Sequence, residues 1–304
     1  MASQKSNRYI LPHQIAKLKN LAIKAQTIVE GVLTGLHKSP HHGFNVEFKE
    51  HRQYYPGDDI KYIDWRVFAK TDKFFIKRFE EETNLFIYLL LDISNSMGFK
   101  YKNSQITKIE YSKYIAASLL YLALLQNDAP GITLFSQEII NYFAPKNSFA
   151  YINEIIKNLE YVKPAGKSEF KKNFIKIAEK IKKRSMVVII SDFLGEIDNI
   201  IEGVKYLKSK KNEIVLFVIN DRFEYEFPYN ENIKFIDMEN NNFIILNAYY
   251  IQEEYRKNFN LHYLQLKSFA LKSKIDYYSF DTSTDFGKCL YNYLIKRSEI
   301  RLKK

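Results

Sequence analysis

The chain has 304 residues, 46 Lys and Arg against 35 Asp and Glu, a formal net charge of +11, one Cys, and 46% hydrophobic residues, with Tyr and Phe supplying 23 each. That length provides for one large domain or two modest ones, and only 10 Gly and 7 Pro beside 15% aromatics exclude collagen-like and disordered chains. The single Cys289 excludes an intramolecular disulfide and a four-Cys zinc site.

The first residues, MASQKSNRYILPHQIAKLKN, never run apolar for the roughly 7 to 15 positions of a signal peptide. The longest apolar stretch, 85–93, contains Asp92 and is far shorter than the roughly 20 residues of a membrane helix. Both observations point to a cytoplasmic protein. Residues 12–36 carry Ile15, Leu18, Leu21, Ala22, Ala25, Ile28, Val29 and Val32 at helical spacing, with Lys and Gln opposite, which predicts an amphipathic helix. The stretch to residue 84 mixes turn signals (Pro40, Gly43, Pro56 to Asp59) with short aromatic and β-branched runs. It reads as an extended, strand-containing arm, so residues 1–84 are expected to form a helix and arm packed on a main domain spanning 85–304.

From residue 85 strands and helices alternate. Strands are predicted at 85–92, 131–136, 138–143, 186–191, 213–219 and 275–280, and helices at about 107–126, 148–160, 169–183, 197–209, 249–273 and 284–298. Strands rich in Ile, Leu and Val without polar alternation are buried on both faces and demand helices on both sides of a mainly parallel sheet. The expected fold is a doubly wound α/β domain.

In such a sheet ligands bind beyond the carboxyl ends of the strands. The first strand ends in Asp92-Ile93-Ser94-Asn95-Ser96-Met97, the strand at 186–191 ends in Ser191-Asp192-Phe193, and Gly166-Lys167-Ser168-Glu169 precedes the helix at 169. Two carboxylates and three hydroxyls are hard oxygen donors that suit Mg²⁺ or Mn²⁺, and a set without His or Cys argues against zinc. The alternative for Asp-x-Ser-x-Ser is an ordinary turn whose Asp and Ser cap a helix; an apolar strand directly before it and a second strand ending in Asp favour the metal site.

These residues carry a resemblance. The strand with Asp92, Ser94 and Ser96, together with Ser168 and Asp192, resembles the metal-ion-dependent adhesion site of von Willebrand factor type A domains, with Ser168 where the pattern usually has Thr. The arm, with Glu47-Phe48, Arg52 to Asp59, Ile63-Asp64-Trp65-Arg66 and Lys77 to Glu82, resembles the bacterial domain-of-unknown-function family 58. Phe227-Pro228 and Phe235 to Glu239 are similar to that family as well. The resemblance implies a von Willebrand factor type A-like fold and a metal site formed by Asp92, Ser94, Ser96, Ser168 and Asp192, whose open position a partner's acidic residue fills. It also implies a binding role beside a MoxR-type AAA+ ATPase in the assembly or maturation of protein complexes, rather than enzymatic activity.

Other functions fit the same residues less well. A haloacid-dehalogenase type phosphohydrolase needs a second Asp two positions after the first, and Ser94 stands there. Gly166-Lys167-Ser168 matches the end of a P-loop, but the required first Gly falls at Tyr161. A nucleic-acid role would rest on residues 169–184, net +5, and the tail 296–304, net +4, without a reading motif; exposed lysines in solvent account for both. His37, His41, His42 and His51 fit no zinc spacing and read as polar surface, Trp65 reads as an anchor of the arm, and Cys289 reads as core.

Overall fold

In a computed structural model the structure describes residues 20–37, 51–53, 75–77, 85–100, 106–238 and 242–302. Its centre is a six-stranded sheet. Strands β3 (Phe86–Asp92), β4 (Ala129–Phe135), β6 (Met186–Ser191) and β7 (Glu213–Asn220) are buried over almost their whole length. Their unbroken apolar runs leave no polar face to turn to water, so both faces must be covered. Edge strands β5 (Ile139–Phe143) and β10 (Asp276–Asp281) are more exposed. The spatial order is β10-β7-β6-β3-β4-β5, with β5 antiparallel to β4 and every other pair parallel. Counted within the sheet this is the order 3-2-1-4-5-6 of a doubly wound fold, whose direction reverses beside β3.

Alternate residues of each strand feed two cores. Leu89, Leu91, Val188 and Ile190 join the core under α1 (Leu21–His37), α2 (Lys108–Leu125), α3 (Phe149–Tyr161) and α8 (Phe286–Leu302). Tyr88, Leu90, Val187 and Ile189 join the core under α4 (Phe170–Lys180), α5 (Ile197–Ser209) and α7 (Ala248–Lys272). Helix α1 buries Leu21, Ala25, Ile28, Val29 and Val32 in the first of these cores. At about 2 kcal/mol for each fully buried large aliphatic side chain, this face holds α1 to the main domain. Helix α2 runs through the same core and is buried nearly all round. It starts at a capping box in which Glu110 N–H donates to Thr107 Oγ1 (3.2 Å) and Thr107 N–H donates to Glu110 Oε2 (2.9 Å). That cap fixes where the first helical residue, Lys108, enters the domain.

Of the arm, the short strands β1 (His51–Gln53) and β2 (Phe75–Lys77) are described and pair antiparallel. The arm motifs between them, Trp65 included, lie outside the described residues. The predicted helices and strands from residue 85 onward are present, with shifts of a few residues at their ends. The sequence pattern does not show α6 (Arg222–Glu226) or a hairpin of β8 (Asn232–Ile236) and β9 (Phe243–Asn247). The hairpin carries apolar residues on its exposed face as well as its covered one: Phe235 stacks on Phe227 at 5.5 Å between centroids, while Ile236, Phe243 and Ile245 face solvent beside Lys234. Strand β9, FIILN, shows no alternation of polar and apolar residues, and the alternation in β8 spans only four positions.

Candidate cation site at the carboxyl end of the sheet

Strand β3 ends on Asp92, buried completely at the carboxyl edge of the sheet beside the reversal of strand order. The loop that follows is tied to the loop ahead of α4. Asn95 N–H donates to Gly166 O at 2.8 Å and Ala165 N–H donates to Ile93 O at 2.7 Å. Gly166 sits at φ 72°, where a side chain would be strained, and it turns the chain so that Ser168 faces Asp92. Ser168 Oγ donates to Asp92 Oδ1 at 2.7 Å, and Ser94 N–H donates to the same oxygen at 2.9 Å. Ser191 Oγ donates to Asp92 Oδ2 at 2.6 Å, and the Ser94 and Ser96 hydroxyls share a hydrogen bond of 3.1 Å. The loop continues into a 3₁₀ turn, Asn95–Gly98, which the Ser94 side chain does not cap. The helix-capping alternative for this motif is therefore not what its serines do.

Asp192 lies one residue beyond β6. The next residue, Phe193, adopts φ 53°, an unusual conformation for a bulky side chain. It is held there by its N–H bond to Ser191 Oγ (2.8 Å), by His262 Nε2 at 2.8 Å from its carbonyl, and by a fully buried ring stacked on Phe170. This turn aims Asp192 into the site. Asp192 Oδ1 accepts from Leu194 N–H at 3.1 Å, and Oδ2 accepts from the ammonium of Lys108 at 2.8 Å. Lys108 is itself fully buried and also donates to Glu224 Oε1 at 2.5 Å. Glu224 belongs to α6, whose capping box directs its Oε2 to Asp221 N–H at 3.0 Å.

The structure thus brings Asp92, Ser94, Ser96, Ser168 and Asp192 together and adds Ser191, Lys108 and Glu224. Three buried carboxylates face one ammonium. Burial and the neighbouring charge of Asp192 push the Asp92 carboxyl up to about 6, against the pull of the hydrogen bonds from Ser191, Ser168 and Ser94. Burial also raises Glu224, although Lys108 opposes it. Burial alone would lower Lys108, but Asp192 and Glu224 outweigh it and hold the ammonium above its usual range. One ammonium cannot balance three carboxylates, and Asp92 is the one that takes its hydrogen bonds from serines and a backbone N–H rather than from Lys108.

Among the described residues no group of three or more His, Cys, Asp or Glu side chains is placed to hold a metal, so a cation here would rest largely on hydroxyls. Those donors and the uncompensated buried charge fit a hard divalent ion. Asp92, Ser94, Ser96 and Ser168 are the residues that would hold it. Asp92 and Asp192 each have both oxygens hydrogen-bonded, but one oxygen of Asp192 is held by the Lys108 ammonium, a charged donor, which would leave Asp192 the role of a carboxylate acting through water. A cavity of about 330 Å³ opens on this cluster, lined by Ser96, Phe99, Lys167, Leu194, Gly195, Glu224, Asp237 and Met238. A larger one, about 480 Å³, runs along β10 and contains none of these groups.

Helix α4 presents Lys171, Lys172, Lys176 and Lys180 to solvent, and two of them pair with acids, Lys171 with Glu202 (2.6 Å) and Lys172 with Glu138 (3.3 Å). Cys289 is buried with its sulfur 3.3 Å from Tyr111 Oη, a core position as expected. Among the described residues no helix is long and apolar enough to cross a membrane.

The sheet order and the loop chemistry at its carboxyl edge define a von Willebrand factor type A-like α/β domain. The chain belongs to the family described as protein of unknown function DUF58, whose family model matches residues 50–267. It is similar to the uncharacterized protein Rv1480 of Mycobacterium tuberculosis, 24% identical over 220 residues that cover 71% of this chain and 68% of that one. Among solved structures it is similar to BatB from Bacteroides thetaiotaomicron, at 15% identity and a TM-score of 0.44 over 71% of this chain and 99% of that one. It is also similar to the SpRpn10 VWA domain, at 12% identity and a TM-score of 0.40 over 68% of this chain and 93% of that one.

Proposed function

We propose that this DUF58 protein is a non-enzymatic binding protein that takes up Mg²⁺ or Mn²⁺ at Asp92, Ser94, Ser96 and Ser168, with Asp192 acting through water, and engages a protein partner there. The observation that carries this reading is the excess of buried negative charge among hydroxyl donors, one of which, Ser96, lines a solvent-facing cavity. A bound divalent ion supplies a fixed positive point to which a partner's carboxylate is attracted. The chain's own residues do the rest. Ser191 and Ser94 N–H hold the Asp92 carboxylate in one orientation, Ser168 and the Ser94–Ser96 pair offer neutral oxygens, and the Phe193 turn keeps Asp192 within the cluster. The partner implied by the family resemblance is a MoxR-type AAA+ ATPase, with this chain as its adaptor in complex assembly or maturation.

The test is capture of a MoxR-type ATPase by the full chain in Mg²⁺, in chelator, and with Asp92→Ala. Capture lost in chelator and in the variant supports the reading; capture indifferent to both removes the cation bridge.

A further inference from the structure

The most unusual group in this site is a lysine that contributes no ligand. Lys108 is fully buried, and its Nζ is shared between Asp192 at 2.8 Å and Glu224 at 2.5 Å. Neither acid is free to leave it, because Asp192 Oδ1 is fixed by Leu194 N–H (3.1 Å) and Glu224 Oε2 by Asp221 N–H (3.0 Å). Lys108 starts a capped, core-buried helix, its ammonium lies 5.7 Å from the Phe99 ring centroid, and the side chain is wholly shielded from solvent. The ammonium is bonded to Asp192 and Glu224, whereas Asp92 is bonded by uncharged donors.

We infer that Lys108 is the resident counter-charge of the site, a positioning residue that holds Asp192 back from direct ligation and thereby sets the affinity for a divalent cation. This rests on the cation reading of the site. A fixed positive charge beside a cation-binding centre repels the incoming ion in a medium that screens poorly. It also removes one carboxylate from the ligand set, because breaking a buried ion pair leaves an uncompensated charge. Lys108 therefore keeps the cation-free cluster folded at the expense of tight binding, a combination that suits a site loaded and unloaded in use.

The experiment is calorimetric titration of the full-length, chelator-treated protein with Mn²⁺, comparing wild type with Lys108→Met, which keeps the length of the side chain and removes its charge. The expected result is Mn²⁺ binding tighter by about tenfold or more in K108M, with a lower melting temperature in chelator that Mn²⁺ restores. A merely structural role for Lys108 would weaken binding instead. Wild type that binds while K108M binds equally or less tightly overturns the inference and leaves the cation reading intact. Binding by K108M alone supports Lys108 as counter-charge and overturns the cation reading for the natural chain, and binding by neither overturns both. If K108M does not fold, Glu224→Gln leaves the ammonium less compensated and should weaken Mn²⁺ binding at least about threefold; unchanged binding overturns the inference.

Discussion

Replacing Asp92 by Asn removes the site carboxylate whose hydrogen bonds come from serines and a backbone N–H, while keeping its size. In the metal-free protein the Asp92 carboxyl is raised from 3.8 to about 6, by burial first and by the charge of Asp192 second. A carboxyl raised in the folded state binds its proton there at a pH where the unfolded chain has already lost it. Stability therefore falls as pH rises through the window between the two values. A difference of roughly 2 units at 1.36 kcal/mol each amounts to about 3 kcal/mol. The amide of the variant does not titrate, so the stability of wild type relative to Asp92→Asn should fall by about 3 kcal/mol between about pH 3.5 and about pH 7, with the change concentrated between about 4 and about 6. Urea denaturation of both proteins in chelator across that range provides the measurement, and Mg²⁺ at neutral pH should restore part of the loss in wild type only. A flat difference, or one that grows in favour of wild type as pH rises, would refute the claim that burial and the charge of Asp192 raise the Asp92 carboxyl.

Ser168→Ala removes the 2.7 Å bond to Asp92 Oδ1 and should cost about 2 kcal/mol at neutral pH in urea denaturation, the range for a hydrogen bond to a charged group, together with weaker Mn²⁺ binding. Gly131→Ala would place a Cβ 2.5 Å from Phe143 O and 2.6 Å from Pro145 N, both backbone atoms of the neighbouring strand and its continuation. It should destabilise the domain by about 3 kcal/mol, and thermal melting within a degree or two of wild type would contradict that packing. The Cys289 thiol, pushed up to about 11 by burial, should resist a water-soluble disulfide reagent in the native protein and react promptly in denaturant; rapid native reaction would place it at the surface.

The strands were legible because a run such as Met186–Ser191 is apolar at every position but the last, and it leads directly into the Asp that the site uses. The oxygen donors were legible for the same reason: in a doubly wound sheet the residues after each strand converge on one rim. Lys108 and Glu224 were not. Their local sequence reads as two capping boxes, Thr107 with Glu110 and Asp221 with Glu224, and nothing in that pattern says that the second residue of one box and the last of the other meet across 116 positions of chain. The left-handed turn at Phe193 was equally silent, since only its packing against Phe170 and its bond to Ser191 make that conformation tolerable. The basic charge, so prominent in the composition, proved secondary: α4 spends it on solvent and on ion pairs with Glu138 and Glu202.

Titration of the metal-free protein with Mn²⁺, followed by the paramagnetic resonance of the free ion, tests the cation site most directly. The expected result is saturation at a single ion per chain in wild type, displacement by excess Mg²⁺, and no saturable binding in Asp92→Ala. Wild type that leaves the Mn²⁺ signal untouched, or Asp92→Ala that binds as wild type does, would contradict it.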